Sequence, residues 1–266
     1  MRIGGLEILK HVLRYVHKRE HEEGGFTLYE GIPDGKNTYY GLRILKMFNE
    51  EPYNKKKTIE WIKNLNKGRL FGIKGIFYRL NALKIFNMKT EIPDEFASKL
   101  INKIAFTSLE TAFLSTNILK LTGYDDLHGI ADWILSFQKE DGGFGRYRSD
   151  IISTYYALES INQIDSSLIP NKNTILNFTE QCRADNGVFN STPINYPPYI
   201  ETIYAGIKIH EIIGRKLKDQ SKIINFVLDL QNGDGGFRRS KYIGISELDY
   251  TYRALYTLKS LSYDLN

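Results

Sequence analysis

Basic residues follow two glycine turns in this sequence: Arg146 and Arg148 come after Phe144, and Arg238, Arg239 and Lys241 come after Phe237. Gathered at the mouth of a cavity beside helix N-termini, such side chains would meet an anion such as a diphosphate; spread over solvated loops, they would meet only water. The acids show a different regularity. Asp34, Asp150 and Glu247 each stand four residues before a threonine, and Asp249 stands two before Thr251. An acid just ahead of a helix is first of all an N-cap or a dipole partner, worth roughly 1 kcal/mol. The chain has 18 Tyr and 14 Phe but 2 Trp, so its aromatic surface is largely rings with polar tips and offers little for sugar stacking. Tyr39, Tyr155, Tyr156, Tyr204, Tyr250 and Tyr252 are the candidates to contact a ligand. In the adjacent pairs Tyr39/Tyr40 and Tyr155/Tyr156, neighbours on a helix differ by about 100°, so one of each pair is expected to pack between layers.

Several chemistries are excluded. No Ser-His-Asp signature, phosphate-binding glycine loop of the Walker type or dinucleotide fingerprint occurs. His17 and His21 have helical spacing with His11 nearby but lack a third ligand, and His128 and His210 are isolated. Asp125-Asp126-Leu127-His128-Gly129 lacks the third acid of an Asp-rich Mg²⁺ motif and reads as a loop and cap. The single cysteine, Cys182, rules out an internal disulfide and a Cys-rich zinc site, and with no activating histidine it reads as an unreactive thiol. The formal net charge is +5, and with no basic stripe interleaved with aromatics, nucleic acid is not an expected partner. No run approaches the roughly 18 to 20 apolar residues of a membrane span, and the stripe Leu6, Leu9, Leu13, Val16 is broken by charges, unlike a signal peptide. A soluble, cytoplasmic protein is expected.

The elements that would position these residues repeat. Gln138-Lys139-Glu140-Asp141-Gly142-Gly143-Phe144 returns as Gln231-Asn232-Gly233-Asp234-Gly235-Gly236-Phe237, with shorter echoes at Gly24-Gly25-Phe26 and Asn186-Gly187-Val188-Phe189. Phe71 and Phe106 fill the gap, giving spacings of 35 to 48 residues, the range of a helical hairpin. An amphipathic helix precedes each turn, and glycine supplies the positive φ that ends it. A second helix follows, headed by Thr38-Tyr39-Tyr40-Gly41-Leu42, Thr154-Tyr155-Tyr156-Ala157-Leu158, Thr202-Ile203-Tyr204-Ala205-Gly206 or Thr251-Tyr252-Arg253-Ala254-Leu255. Thr111-Ala112-Phe113 is a fainter copy. Six such units, at roughly 5–49, 54–88, 92–122, 127–165, 171–213 and 218–263, give about twelve helices and almost no strand signal. The first and last units match the consensus well, whereas an open solenoid would cap its ends with atypical repeats; closure into a ring is expected.

This combination, a Q-x-x-D-G-G-F turn followed by a T-Y-x-A-L helix, resembles the repeat of protein prenyltransferase β subunits and of squalene/hopene-type terpenoid cyclases, over nearly the whole chain. The resemblance implies an all-α, (α/α)6 toroid in one domain spanning 1–266, a double ring around an aromatic-lined cavity that accommodates an isoprenoid. It also implies a diphosphate site built from Arg and Lys ahead of an inner helix, which points to Arg146, Arg148, Arg238 and Arg239, and it leaves room for a partner subunit. A diphosphate would bring Mg²⁺ with it. Zinc is not expected, because the prenyltransferase ligand positions Asp, Cys and His fall on Pro198, Ile200 and Tyr250 here.

Similarity to class II cyclases implies another role. Their D-x-D-D-T motif aligns with Glu247-Leu248-Asp249-Tyr250-Thr251, with Asp249 at the proton-donor position, Glu247 for the first acid and Tyr250 for the last. A carboxylic acid in an apolar cavity resists ionisation and can donate a proton, and aromatic faces can stabilise the resulting cation. The leading expectation is therefore a zinc-independent, isoprenoid-handling lyase or transferase. The alternatives are a non-catalytic toroid scaffold or binding module and an (α/α)6 carbohydrate-active enzyme, which would need paired carboxylates about 5 to 9.5 Å apart.

Overall fold

The computed structural model describes residues 5–65, 72–103, 106–184, 187–194, 197–242 and 244–265. Phe71 and Asn186 lie outside these. Twelve α-helices and no strand occur among the described residues, with a single 3-10 turn at Ser166–Leu168. The chain divides into two compact units, Met1–Lys89 with Ile224–Asn266, and Thr90–Ile223.

The first unit holds α1 (Gly5–His17), α2 (Gly35–Met47), α3 (Lys55–Asn64), α4 (Ile73–Ile85) and α12 (Leu248–Ser260). Within it α2 packs against α4 on one side and α12 on the other, with α1 behind α2 and α3 behind α4. The second holds α5 (Asp94–Ile101), α6 (Leu109–Leu121), α7 (His128–Leu135), α8 (Ile151–Ile164), α9 (Lys172–Gln181) and α10 (Ile200–Ile213), with α8 between α6 and α10. The unit boundary falls inside α11 (Gln220–Leu228).

The repeated turn has one geometry in four copies. An antiparallel bridge joins Glu20 to Phe26, Gln138 to Phe144, Arg183 to Phe189 and Gln231 to Phe237. In the two Asp-Gly-Gly copies the aspartate holds the turn: Asp141 Oδ1 accepts from Gly143 N–H at 2.9 Å and from the Ser149 hydroxyl at 2.7 Å, and Asp234 Oδ1 accepts from Gly236 N–H at 3.0 Å and from the Ser246 hydroxyl at 2.8 Å.

The paired glycines are needed for docking as well as turning. A Cβ on Gly24 or Gly142 would lie 2.5 Å from the carbonyl oxygen of Lys57 or Thr174, in the helix of the following repeat, and one on Gly235 would lie 2.3 Å from the carbonyl oxygen of His11. Each second glycine meets the aromatic ring four residues farther along that helix: Trp61 for Gly25, Phe178 for Gly143 and Tyr15 for Gly236. A residue and its i+4 neighbour share a helix face, so each turn seats on one face of the next outer helix. The last turn of the chain uses α1 as its next helix, which brings the last repeat onto the first.

The threonine explains itself in the same terms. The backbone N–H groups of Phe26, Phe144 and Phe237 donate to the hydroxyls of Thr38, Thr154 and Thr251, each at 2.9 Å, and the Thr202 hydroxyl instead donates to the Phe189 carbonyl at 2.6 Å. The four phenylalanines are fully buried, so these bonds spare the turn an unpaired polar group. Small residues beyond the threonine admit the ring: a Cβ on Gly41 would lie 2.7 Å from Phe26, and one on Gly206 2.3 Å from Phe189.

Candidate functional site

The capping regularity holds at two positions and breaks at a third. Asp34 Oδ1 accepts from Asn37 N–H at 2.9 Å and Asp150 Oδ1 from Ser153 N–H at 2.8 Å, so both cap their helices. Glu247 occupies the N-cap position of α12 but makes no cap bond. Its longer side chain turns to α2, where Lys36 Nζ stands 3.2 Å from Glu247 Oε2 and 3.1 Å from Asp249 Oδ2.

Asp249, Glu247 and Lys36 therefore form one cluster across the N-terminal ends of α2 and α12. The Asp249 and Glu247 side chains are 8% and 18% exposed and that of Lys36 39%. Burial lowers the Lys36 pKa, but the charges and hydrogen bonds of Asp249 and Glu247 outweigh it and hold the ammonium well above the ordinary lysine range. An alkene seeking a proton from Asp249 would first have to displace that ammonium. Lys36 also stands 6.0 Å from the ring centroid of the half-buried Tyr250.

The cluster yields a first prediction. Lys36→Ala is expected to cost about 1 to 2 kcal/mol in urea unfolding at pH 7, less than for a fully buried pair because water screens the lysine. A folded pKa above the unfolded one places the stabilisation below about 10.5, the ordinary lysine value, and removes it as pH rises through the folded value. The gap between wild type and variant should stay constant from pH 7 to pH 9 and narrow beyond about 10.5; a gap already closing at pH 8 would argue against the ion pair.

One turn into the helices lies an aromatic cluster from α2, α4 and α12. The Tyr39 ring is 5.8 Å from Phe77 and 5.7 Å from Tyr78, and Tyr40 is 6.1 Å from Tyr78 and 5.6 Å from Tyr252. Tyr39 and Tyr252 are buried, whereas Tyr40 and Tyr78 are half-buried. Arg43 donates to the hydroxyls of both Tyr39 and Tyr252, its guanidinium carbon 4.5 Å from the Tyr252 centroid. Arg253 Nη2 stands 3.5 Å from the Tyr40 hydroxyl.

The second unit has its own cluster on α6, α8 and α10. Phe113 stacks on Tyr156 at 5.1 Å, and Tyr155 meets Tyr204 edge-on at 5.6 Å. Here too the first tyrosine of the pair is buried and the second half-buried.

Two of the basic residues singled out in the loops have partners of their own. Arg238 donates to the Asp229 carbonyl at 3.1 Å and Lys241 to the Asp229 carboxylate at 2.7 Å, so both turn toward the end of α11. Arg239 is half-buried, and Arg146 and Arg148 are exposed, Arg146 lying over the ring of the exposed Tyr147. Burial, helped by the charges of Asp141 and Asp150, pushes the Cys182 thiol up to about 12. Among the described residues no three His, Cys, Asp or Glu side chains gather as a metal site. Pro198 and the fully buried Ile200 have no side-chain donor, so these positions do not fit zinc.

Sequence reasoning passed over Lys36, Arg43, Arg253, Phe77 and Tyr78. Arg43 is four residues after Tyr39 and shares its face, and Arg253 lies inside the T-Y-x-A-L block itself. Phe77-Tyr78 was hidden because its repeat has no threonine at the aligned position; matching on the aromatic pair would have found it.

A family model described as "Prenyltransferase alpha-alpha toroid domain" matches residues 6–69 and 72–266. Among solved structures, Candida albicans protein geranylgeranyltransferase-I complexed with GGPP is similar with a TM-score of 0.68 at 16% identity, over 86% of this chain and 84% of that one. At that identity the likeness speaks for the fold. No curated protein sequence matches. No helix among the described residues is long and apolar enough to cross a membrane.

Proposed function

The chain belongs to the prenyltransferase alpha-alpha toroid family, and on that premise we propose that it binds an isoprenoid diphosphate, with the hydrocarbon chain laid against the aromatic face of α2, α4 and α12. One observation carries the reading. Tyr40 and Tyr78 are half-buried, 6.1 Å apart, and backed by the buried rings of Tyr39, Phe77 and Tyr252. Such a face removes apolar surface of a ligand from water at about 25 cal/mol per Å² and offers π faces to any positive charge that develops on an allylic carbon. The GGPP held by the geranylgeranyltransferase makes a C20 chain the first to try. Any Mg²⁺ would come with the diphosphate, and the reading invokes no zinc, since Pro198 and Ile200 offer a metal no side-chain ligand.

A second reading, binding without turnover, is favoured by the ion cluster that occupies Asp249. Native mass spectrometry against C10 to C20 prenyl diphosphates, with and without Mg²⁺, followed by product analysis, separates the two. The wild type should retain one equivalent of a preferred chain length, and Tyr40→Ala with Tyr78→Ala should weaken retention about tenfold. Failure of the wild type to retain any member would sink the isoprenoid reading. Retention without product would favour the binding module, and product lost in Asp249→Asn would assign that residue an acid's part.

A further inference from the structure

We infer that the phosphate end of the ligand is held at the C-terminal ends of α2 and α12, in a cavity of about 340 Å³ whose lining includes Arg43, Lys46, Lys259, Tyr252, Tyr256 and Ser260. The placement rests on the isoprenoid-diphosphate reading and reverses the polarity that the loop arginines imply.

Charge decides between the ends. At the N-terminal end of the α2–α12 seam, the Lys36 ammonium faces two carboxylates, so an incoming diphosphate would meet Asp249 and Glu247 within 3.2 Å of the charge it seeks. In the loops, Arg238 and Lys241 are committed to Asp229. Among the described residues no acidic side chain lines the C-terminal cavity, and three basic ones do. Lys46 is exposed and has no ion-pair partner among the described residues. Lys259 Nζ donates to the Met47 carbonyl at 3.1 Å and lies 5.6 Å from the Phe48 ring centroid.

A lysine in the last turn of a helix is ordinarily explained by the dipole, at roughly 0.3–1 kcal/mol. That accounts for Lys46 and Lys259 separately, but not for Arg43 between them. Arg43 spends donors on the phenols of Tyr39 and Tyr252, and its guanidinium carries five N–H groups in a fork suited to phosphate oxygens. The spacing on the two helices is matched. Tyr39, Arg43 and Lys46 lie at i, i+4 and i+7 on α2, and Tyr252, Tyr256 and Lys259 do so on α12. Each stripe starts in the aromatic cluster and ends on a cation. Tyr252 belongs to both, touching Tyr40 on one side and lining the cavity on the other. Along the seam the aromatic rings thus lie between the Lys36 ion cluster and the C-terminal cations, so that a chain on the rings would have its phosphate head on the cations.

Isothermal titration calorimetry tests this with three probes: inorganic pyrophosphate for the head, geranylgeraniol for the chain, and geranylgeranyl diphosphate for both. In Lys46→Ala/Lys259→Ala, pyrophosphate and the diphosphate should each bind at least tenfold more weakly, with the alcohol unchanged. Lys36→Ala should leave pyrophosphate affinity intact. Wild-type affinity for pyrophosphate should also fall as salt is raised, as for an exposed ionic site. Unchanged pyrophosphate binding in the double lysine variant, or loss of it in Lys36→Ala, would overturn the placement. Binding of the alcohol without any pyrophosphate binding would overturn it while leaving the isoprenoid reading standing. If pyrophosphate depends on the lysines but the diphosphate binds no tighter, the anion site stands and the isoprenoid reading falls.

Discussion

Gly235→Ala is expected to destabilise the protein by about 3 kcal/mol or more, while Gly244→Ala leaves stability within about 0.5 kcal/mol of wild type. Gly235 has φ +94°, outside the comfortable range of an L-residue, and a Cβ there would sit 2.3 Å from the His11 carbonyl oxygen. The left-handed conformation alone costs an alanine roughly 1–2 kcal/mol. The contact cannot be relieved by turning a side chain, because the obstacle is the backbone of α1. Gly244 has no atom within 4 Å of an added Cβ and no positive φ. For a chain of this size about 3 kcal/mol corresponds to a fall of roughly 6 to 12 °C in the melting midpoint. Equal midpoints for the two variants would remove the docking role assigned to the turn.

The second large effect concerns Arg43. Arg43→Met keeps most of the side chain's bulk but removes the donors that reach the hydroxyls of Tyr39 and Tyr252. Tyr39 and Tyr252 are 5% and 3% exposed, so water cannot readily replace the lost partner. Hydrogen bonds from a charged donor contribute about 1.5–3 kcal/mol each, and an abandoned buried hydroxyl costs about 1–3 kcal/mol. We expect a loss of about 2 to 4 kcal/mol in chemical denaturation. A double-mutant cycle with Tyr252→Phe should show coupling above about 1 kcal/mol. Additive losses would mean that the guanidinium does not join the two helices through that hydroxyl. Binding of prenyl diphosphates should weaken in the same variant, since its fork is part of the cavity wall.

The fold was legible because its constraints are local. The glycines, the aspartate and the threonine are each dictated by one short-range requirement, a positive φ, a bond to a turn N–H, a bond to a buried phenylalanine, and such requirements recur in identical letters. Where the turn is built otherwise, the letters fade. Near Phe106, Lys103 takes φ +61° without being glycine and reaches the Gly129 carbonyl at 3.2 Å, while Phe106 packs on Trp133, four residues on. The repeat persists in geometry there, not in composition. The site was less legible because its polar groups are paired across distant segments. Asp34, Asp150 and Glu247 are indistinguishable by position, yet two cap their helices and the third meets Lys36 from a helix more than two hundred residues away in sequence. The tyrosine pairs could be read for which faces inward only as alternatives, and packing chose the first of each to be buried.

The docking of the last turn on α1 has a consequence for biosynthesis. The unit from Thr90 to Ile223 is one uninterrupted stretch and can condense as soon as it leaves the ribosome. The other unit is split, and α2 must wait for α12, its partner on one side, until the ribosome has moved through the whole of the uninterrupted unit. Closing so long a loop is slow in chain-entropy terms, though its cost grows only logarithmically with length. In the interval the nascent chain carries Tyr40 and the side of α2 that meets α12 without that partner. Expression yield should therefore depend on translation speed and chaperone supply more than the stability of the finished fold would indicate.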